Sequence, residues 1–197
     1  TFPKYLGRSN EVVNNAGDMV IPEGSIIRWD AVSKNSKEVS FSVGDSTVSF
    51  KDAGFRFQKR FFQSTSVKVL LKGNKLAVND SLSFNVNVIR DAYPSIQVEV
   101  VRDSTRVGLR LFSGKVSDDY GLTNLKFVYS ITSNDGKKRV ESLNVRTVSG
   151  LESSFDFGVD FMREYVSLED KIEYYFVVSD NDGVHGSKST KSKVFQY

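Results

Sequence analysis

Two short runs hold the residues best able to do chemistry: Ser117-Asp118-Asp119-Tyr120-Gly121 and Ser179-Asp180-Asn181-Asp182-Gly183. Asp118, Asp119, Asp180 and Asp182 offer four carboxylates, and Asn181 adds an amide oxygen. Hard oxygen donors of this kind suit Ca²⁺, which takes about 6–8 oxygen ligands at roughly 2.3–2.6 Å. The same residue types also populate tight turns for backbone reasons, through side-chain hydrogen bonds to nearby amides and tolerance of left-handed φ. The twelve-residue calcium loop with its terminal Glu is absent. The expected cofactor set is therefore none, with Ca²⁺ the one candidate.

Other chemistries lack their parts. There are no cysteines, so thiol catalysis, disulfides and Cys-based metal sites are excluded. The one histidine, His185, sits in the Gly-rich turn Gly183-Val184-His185-Gly186, and no Gly-x-Ser-x-Gly nucleophile turn exists. Paired carboxylates can cleave glycosides, but Asp118 and Asp119 are adjacent at a strand end, so their side chains should point to opposite faces. No Gly-rich phosphate loop is present. The expectation is a non-enzyme, with catalytic and cofactor-binding residues none.

The net charge is +3, with a sequence pI near 9.0. It divides unevenly: residues 1–93 carry 13 Lys+Arg against 9 Asp+Glu (+4), and residues 94–197 carry 14 against 15 (−1). So small a surplus does not call for nucleic acid. The densest basic stretch, Arg56, Lys59, Arg60, Lys68, Lys72 and Lys75, reads as a solvated strand face. No window approaches 18 consecutive apolar residues, so the fragment itself is not expected to enter a membrane. Both ends interrupt running patterns, which suggests a piece of a longer protein.

The elements that must hold the acidic turns are strands. Val occurs 27 times and Ala 5 times, a balance that favours pleated strands over helices. Apolar residues alternate nearly throughout: Ile27, Trp29, Ala31; Val39, Phe41, Val43; Val67, Val69, Leu71; Leu82, Phe84, Val86, Val88; then Leu125, Phe127, Tyr129, Ile131 and Ile172, Tyr174, Phe176. Asn134-Asp135-Gly136 marks a hairpin, expected as a type I′ turn. Asp160–Leu168 is the only helix-compatible stretch and too short for more than a turn or two.

Arg90-Asp91-Ala92-Tyr93-Pro94 breaks the rhythm, because Pro94 cannot donate a ladder bond and biases Tyr93 toward extension. About seven strands on each side predict an all-β chain of two tandem immunoglobulin-like or fibronectin-like β-sandwiches, 1–93 and 94–197. In that topology the B–C and F–G loops share one end, so the two acidic turns should converge. Asp170, Tyr174 and Phe176 have the spacing of a strand-F corner. Phe176 then stands where a bridging Cys would be, and the Tyr174 hydroxyl should bond upstream backbone. Trp29 is expected in the core.

Several segments resemble a known family. Tyr5-Leu6-Gly7-Arg8 followed by Gly17-Asp18-Met19-Val20-Ile21-Pro22-Glu23-Gly24-Ser25 resembles the opening of a sandwich module in domain-of-unknown-function family 4175, found in large Bacteroidota envelope proteins. Val88–Pro94, Val116–Leu122, Tyr174–Gly183 and Gly186–Thr190 are similar to later segments of that family, in the same order. The resemblance implies a long parent with N-terminal membrane helices and a periplasmic β-rich part, with no established activity or ligand. It also implies O-glycosylation at Asp-Ser/Thr sites, here Ser46, Ser81 and Ser104, where a glycan would be bulky and on the surface.

The functional expectation is a non-catalytic, extracytoplasmic spacer and protein-interaction segment of a membrane-anchored envelope protein, located in the periplasm or cell envelope. Its partners would be other envelope proteins or domains of the same parent chain, and not nucleic acid. The alternative is a module binding carbohydrate or Ca²⁺ through the acidic loops of the second domain.

Overall fold

A computed structural model describes all residues except 16, 35, 52, 53, 74–78, 102–107, 164–166 and 168. The chain divides into two compact units, Thr1–Asp91 and Ala92–Tyr197. Both are built of strands, as the alternation requires, and the all-β sandwich class is plain from their pairing.

The first unit contains β1 (Met19–Pro22), β2 (Ile26–Val32), β3 (Ser36–Val43), β4 (Ser46–Phe50), β5 (Gly54–Arg60), β6 (Thr65–Gly73) and β7 (Asn79–Ile89). One sheet runs β1-β7-β6-β3-β4 and the other pairs β2 with β5. The first strand lies parallel to the last, with Met19 opposite Val86 and Pro22 opposite Ile89. Between the sheets lie Ile21, Phe41, Val43, Phe61, Val67, Phe84 and Val86. Trp29 is half-buried and packs against this core, its ring 4.9 Å from Phe41 and 5.8 Å from Phe57. It has no need of a fully dry site, since an indole N–H must find a partner or water.

The second unit contains β8 (Ser95–Val101), β9 (Leu109–Ser117), β10 (Leu122–Thr132), β11 (Lys138–Arg146), β12 (Glu152–Asp160), β13 (Lys171–Asp180), β14 (Ser189–Lys191) and β15 (Phe195–Gln196). Its sheets are β12-β9-β8 and β11-β10-β13-β14, with β15 extending the pairing along β13. Phe176, fully buried on β13, meets Phe112 of the facing β9 at 5.2 Å, edge to face, and Phe127 of β10 at 5.1 Å. An aromatic contact thus spans the two sheets where a disulfide would in an immunoglobulin domain.

One local expectation is corrected. The Asn134–Gly136 hairpin is not a two-residue type I′ turn: Ser133 N–H bonds the Lys137 carbonyl, Gly136 N–H bonds the Ser133 carbonyl, and φ is positive only at Gly136 (+81°). That is the three-residue loop with glycine in the left-handed region, which leaves Asp135 in an ordinary conformation. In the helix-compatible stretch the described residues form one 3₁₀ turn, Phe161–Arg163, anchored by buried Phe161, as short as expected, while 164–166 and 168 lie outside the described residues. The Tyr174 hydroxyl lies near the Arg110 guanidinium, and several residues upstream of it, 164–166 and 168, lie outside the described residues. Burial pushes this phenol above its ordinary value, and the nearby Arg110 only partly offsets that.

Candidate functional site

The B–C connection, 118–121, joins β9 to β10, and the F–G connection, 181–188, joins β13 to β14. The two are laced together. Asn181 N–H bonds the Gly121 carbonyl at 3.0 Å, and its amide Nδ2 donates to the Tyr120 carbonyl at 3.1 Å. Asp118 Oδ2 accepts from Tyr120 N–H at 3.0 Å and Gly121 N–H at 2.8 Å, closing the B–C turn. Gly121 has φ +143°, and a Cβ there would stand 2.7 Å from Asn181 Nδ2, so both the dihedral and the close approach demand glycine.

The F–G connection folds around two buried carboxylates. Asp180 Oδ1 accepts from the amides of Asp182 (3.1 Å) and Lys188 (2.7 Å). The Asp180 carbonyl takes the hydroxyls of Thr123 (2.8 Å) and Ser187 (2.7 Å). Asp182 Oδ1 accepts from the amides of Val184 (2.7 Å) and His185 (3.3 Å). Lys188 Nζ then bridges Asp182 Oδ2 at 3.0 Å and Asp180 Oδ2 at 3.2 Å. The Lys188 side chain is only 14% exposed and both carboxylates 1%. Burial pushes the Asp182 carboxyl up, but the hydrogen bonds from Val184, Lys188 and His185 outweigh it and hold the group below its ordinary value.

The five oxygen donors named from the sequence therefore have different surroundings. Carboxylate oxygens of Asp118 and Asp180 lie within 4.8 Å of each other, and Asp118 Oδ1 is buried with no hydrogen-bond partner among the described residues. Asp182 is committed to Lys188 and its own loop. Asp119 is exposed, its Oδ2 3.5 Å from the Ala92 amide. The Asn181 side chain is engaged by Tyr120. Beside the B–C turn, Tyr93, Ser95, Ser117, Asp118, Asp119, Leu151 and Glu152 line an open depression of about 400 Å³. Lys188 was not a sequence candidate, though its place after Gly186-Ser187 in an acidic loop was the available signal. His185 is exposed.

Of the three glycan candidates, Ser46 is exposed on edge strand β4 and Ser81 is exposed on β7, where its amide bonds the Asp80 carboxylate at 2.9 Å. Ser104 lies outside the described residues.

No family model and no curated protein matches the chain. Solved structures similar to it include the fibronectin(III)-like modules of Clostridium thermocellum CbhA, at 15% identity, covering 89% of this chain and 88% of that one, with a TM-score of 0.33. A chicken TCR matches at 9% identity over 90% of this chain and 97% of that one, TM-score 0.33. A stretch of titin domains matches at 12% identity over 100% and 64%, TM-score 0.34. Similarity at this level adds nothing to the strand pairings themselves.

Proposed function

We propose that the chain is a non-catalytic pair of immunoglobulin-like sandwiches serving as a spacer and protein-interaction segment of a larger, membrane-anchored, extracytoplasmic envelope protein. The observation that carries this reading is how the acidic loop end spends its polar groups. Asp180 and Asp182 face backbone amides and one internal ammonium, and Asn181 faces backbone. Groups so engaged hold loops together and are not presented to a substrate. The resemblance to family 4175 supports the envelope context. The test is an in-frame replacement of this segment in its parent by an unrelated pair of fibronectin-type sandwiches. The parent should keep its cellular role. Loss of that role in an exported chimera would overturn the spacer reading, and a turnover abolished by Asp182→Asn would overturn the non-catalytic one.

A second reading has its own observation. The buried, unpartnered Asp118 Oδ1 beside Asp180 favours a cation there. Bound Ca²⁺ at about 100 times its Kd would add roughly 2.7 kcal/mol of stability. Melting with and without millimolar Ca²⁺, using Mg²⁺ as control and Asp118→Asn as the variant, decides it. An unchanged melting temperature refutes this reading.

A further inference from the structure

The strand β11 forms one border of its sheet: it pairs with β10, and among the described residues no strand pairs with its other side. Its residues are exposed on both faces apart from half-buried Val145, and Val140 is 60% exposed. The hairpin bond from Ser133 N–H to the Lys137 carbonyl sets the ladder phase. By antiparallel alternation the pairs Ile131–Arg139, Tyr129–Glu141 and Phe127–Leu143 are hydrogen-bonded, so Lys138, Val140 and Ser142 turn their backbone groups to the open edge.

We infer that β11 is a self-association edge at which a second copy of this chain adds antiparallel about a two-fold axis centred on Val140. The charges select this register. A two-fold centred on Ser142 sets Lys138 opposite Arg146 of the second copy. Centred on Glu141 it sets Glu141 against itself, and centred on Arg139 it sets Arg139 against itself. Like charges directly opposite destabilise a ladder. Centred on Leu143, no charged pair forms. Centred on Val140, Arg139 of each copy faces Glu141 of the other, and the two valines meet. These two side chains already share one face, with Arg139 Nε 3.3 Å from Glu141 Oε1, and the Tyr129 hydroxyl fixes Glu141 Oε2 at 3.1 Å. At 51% and 43% exposed, both remain reachable from outside. A joint this short buries less than the ~1,200 Å² of a standard interface, so the dimer is weak, with a Kd of about 0.1–1 mM. This goes beyond the spacer reading and does not depend on it.

The cysteine-free chain allows a clean test. Opposed Val140 residues would have Cα atoms about 5.5 Å apart, inside the disulfide range. Val140→Cys should cross-link under mild oxidation at least about tenfold faster than Ser142→Cys, whose two copies would be offset along the strand. In sedimentation equilibrium of the cysteine-free chain, Arg139→Glu should weaken dimerisation at least about tenfold, and adding Glu141→Arg should restore it. Circular dichroism of each variant guards against misfolding. A chain that stays monomeric at millimolar concentration, equal cross-linking at both positions, or no response to the charge swap overturns the inference.

Discussion

Replacing Lys188 by Met removes the ammonium that sits 3.0 and 3.2 Å from two buried carboxylates while keeping an apolar stem in its channel. Removing one member of a buried ion group costs about 3–5 kcal/mol, because the remaining charge is left uncompensated. Here the lower end applies. Asp180 and Asp182 keep their backbone donors, and Lys188 is not fully dry. A loss of about 3 kcal/mol in a domain of this size lowers its melting temperature by roughly 10–20 °C. Scanning calorimetry at pH 7 reads this directly. The effect also has a pH signature. Asp182 titrates below its ordinary value in the folded state, so its contribution is complete above the unfolded pKa, about 3.9, and is lost as pH falls through the folded one. Without Lys188 that depression weakens, so the gap between wild type and variant should narrow below about pH 4. A loss under ~0.5 kcal/mol at pH 7, within the range of ordinary surface substitutions, would refute the reasoning. So would a gap as wide at pH 3 as at pH 7.

Further outcomes follow from the second unit. Phe176→Ala should cost about 3–5 kcal/mol by urea unfolding, since the ring is fully buried among Phe112, Phe127 and Phe155, and a cost near 1 kcal/mol would mean this site collapses freely. Gly121→Ala should cost about 1–3 kcal/mol and raise amide exchange at Asn181, because the new Cβ collides with the Asn181 amide at a strained φ; unaltered exchange there would count against the lacing of the two loops. In an ultraviolet titration read as the difference from Tyr174→Phe, Tyr174 should ionise above the ordinary value near 10, and Arg110→Met should move it higher still; an unshifted Tyr174 would contradict the burial described.

The strands were legible because a two-residue alternation has one physical meaning on a half-buried sheet: Phe41 and Val43, or Phe127 and Tyr129, fall inward as their spacing demands. Phe176 was legible as a core residue for the same reason. The lacing of the two loops was readable only at the level of topology. What each side chain would touch was not, because that depends on a few tenths of an ångström in loops whose contacts lie many positions apart. Lys188 shows this most clearly. A lysine in a polar turn is ordinarily solvated, and only the folded path of the F–G connection sends it back onto Asp180 and Asp182. Tyr174 is a similar case, since Arg110 of the facing sheet lies near its hydroxyl, and no local pattern announces that. The Asn134–Gly136 loop differs from its expected turn because Asp-Gly serves both hairpin geometries, and the extra residue decides between them.

The parallel pairing of β1 with β7 gives the first unit a mechanical property that the second lacks. Once the Thr1–Ile26 backbone bonds have parted, tension along the backbone enters at the start of β1 and leaves at the end of β7. Because these strands run the same way, it pulls them past each other along their length, and the ladder from Met19–Val86 to Pro22–Ile89 is loaded in shear, all its bonds together. In the second unit the first strand belongs to one sheet and the last to the other, so no ladder among the described residues joins them. There the load passes through the aromatic packing between sheets. Under stretching the first unit should hold to the higher force, which makes the second the extensible link of the pair.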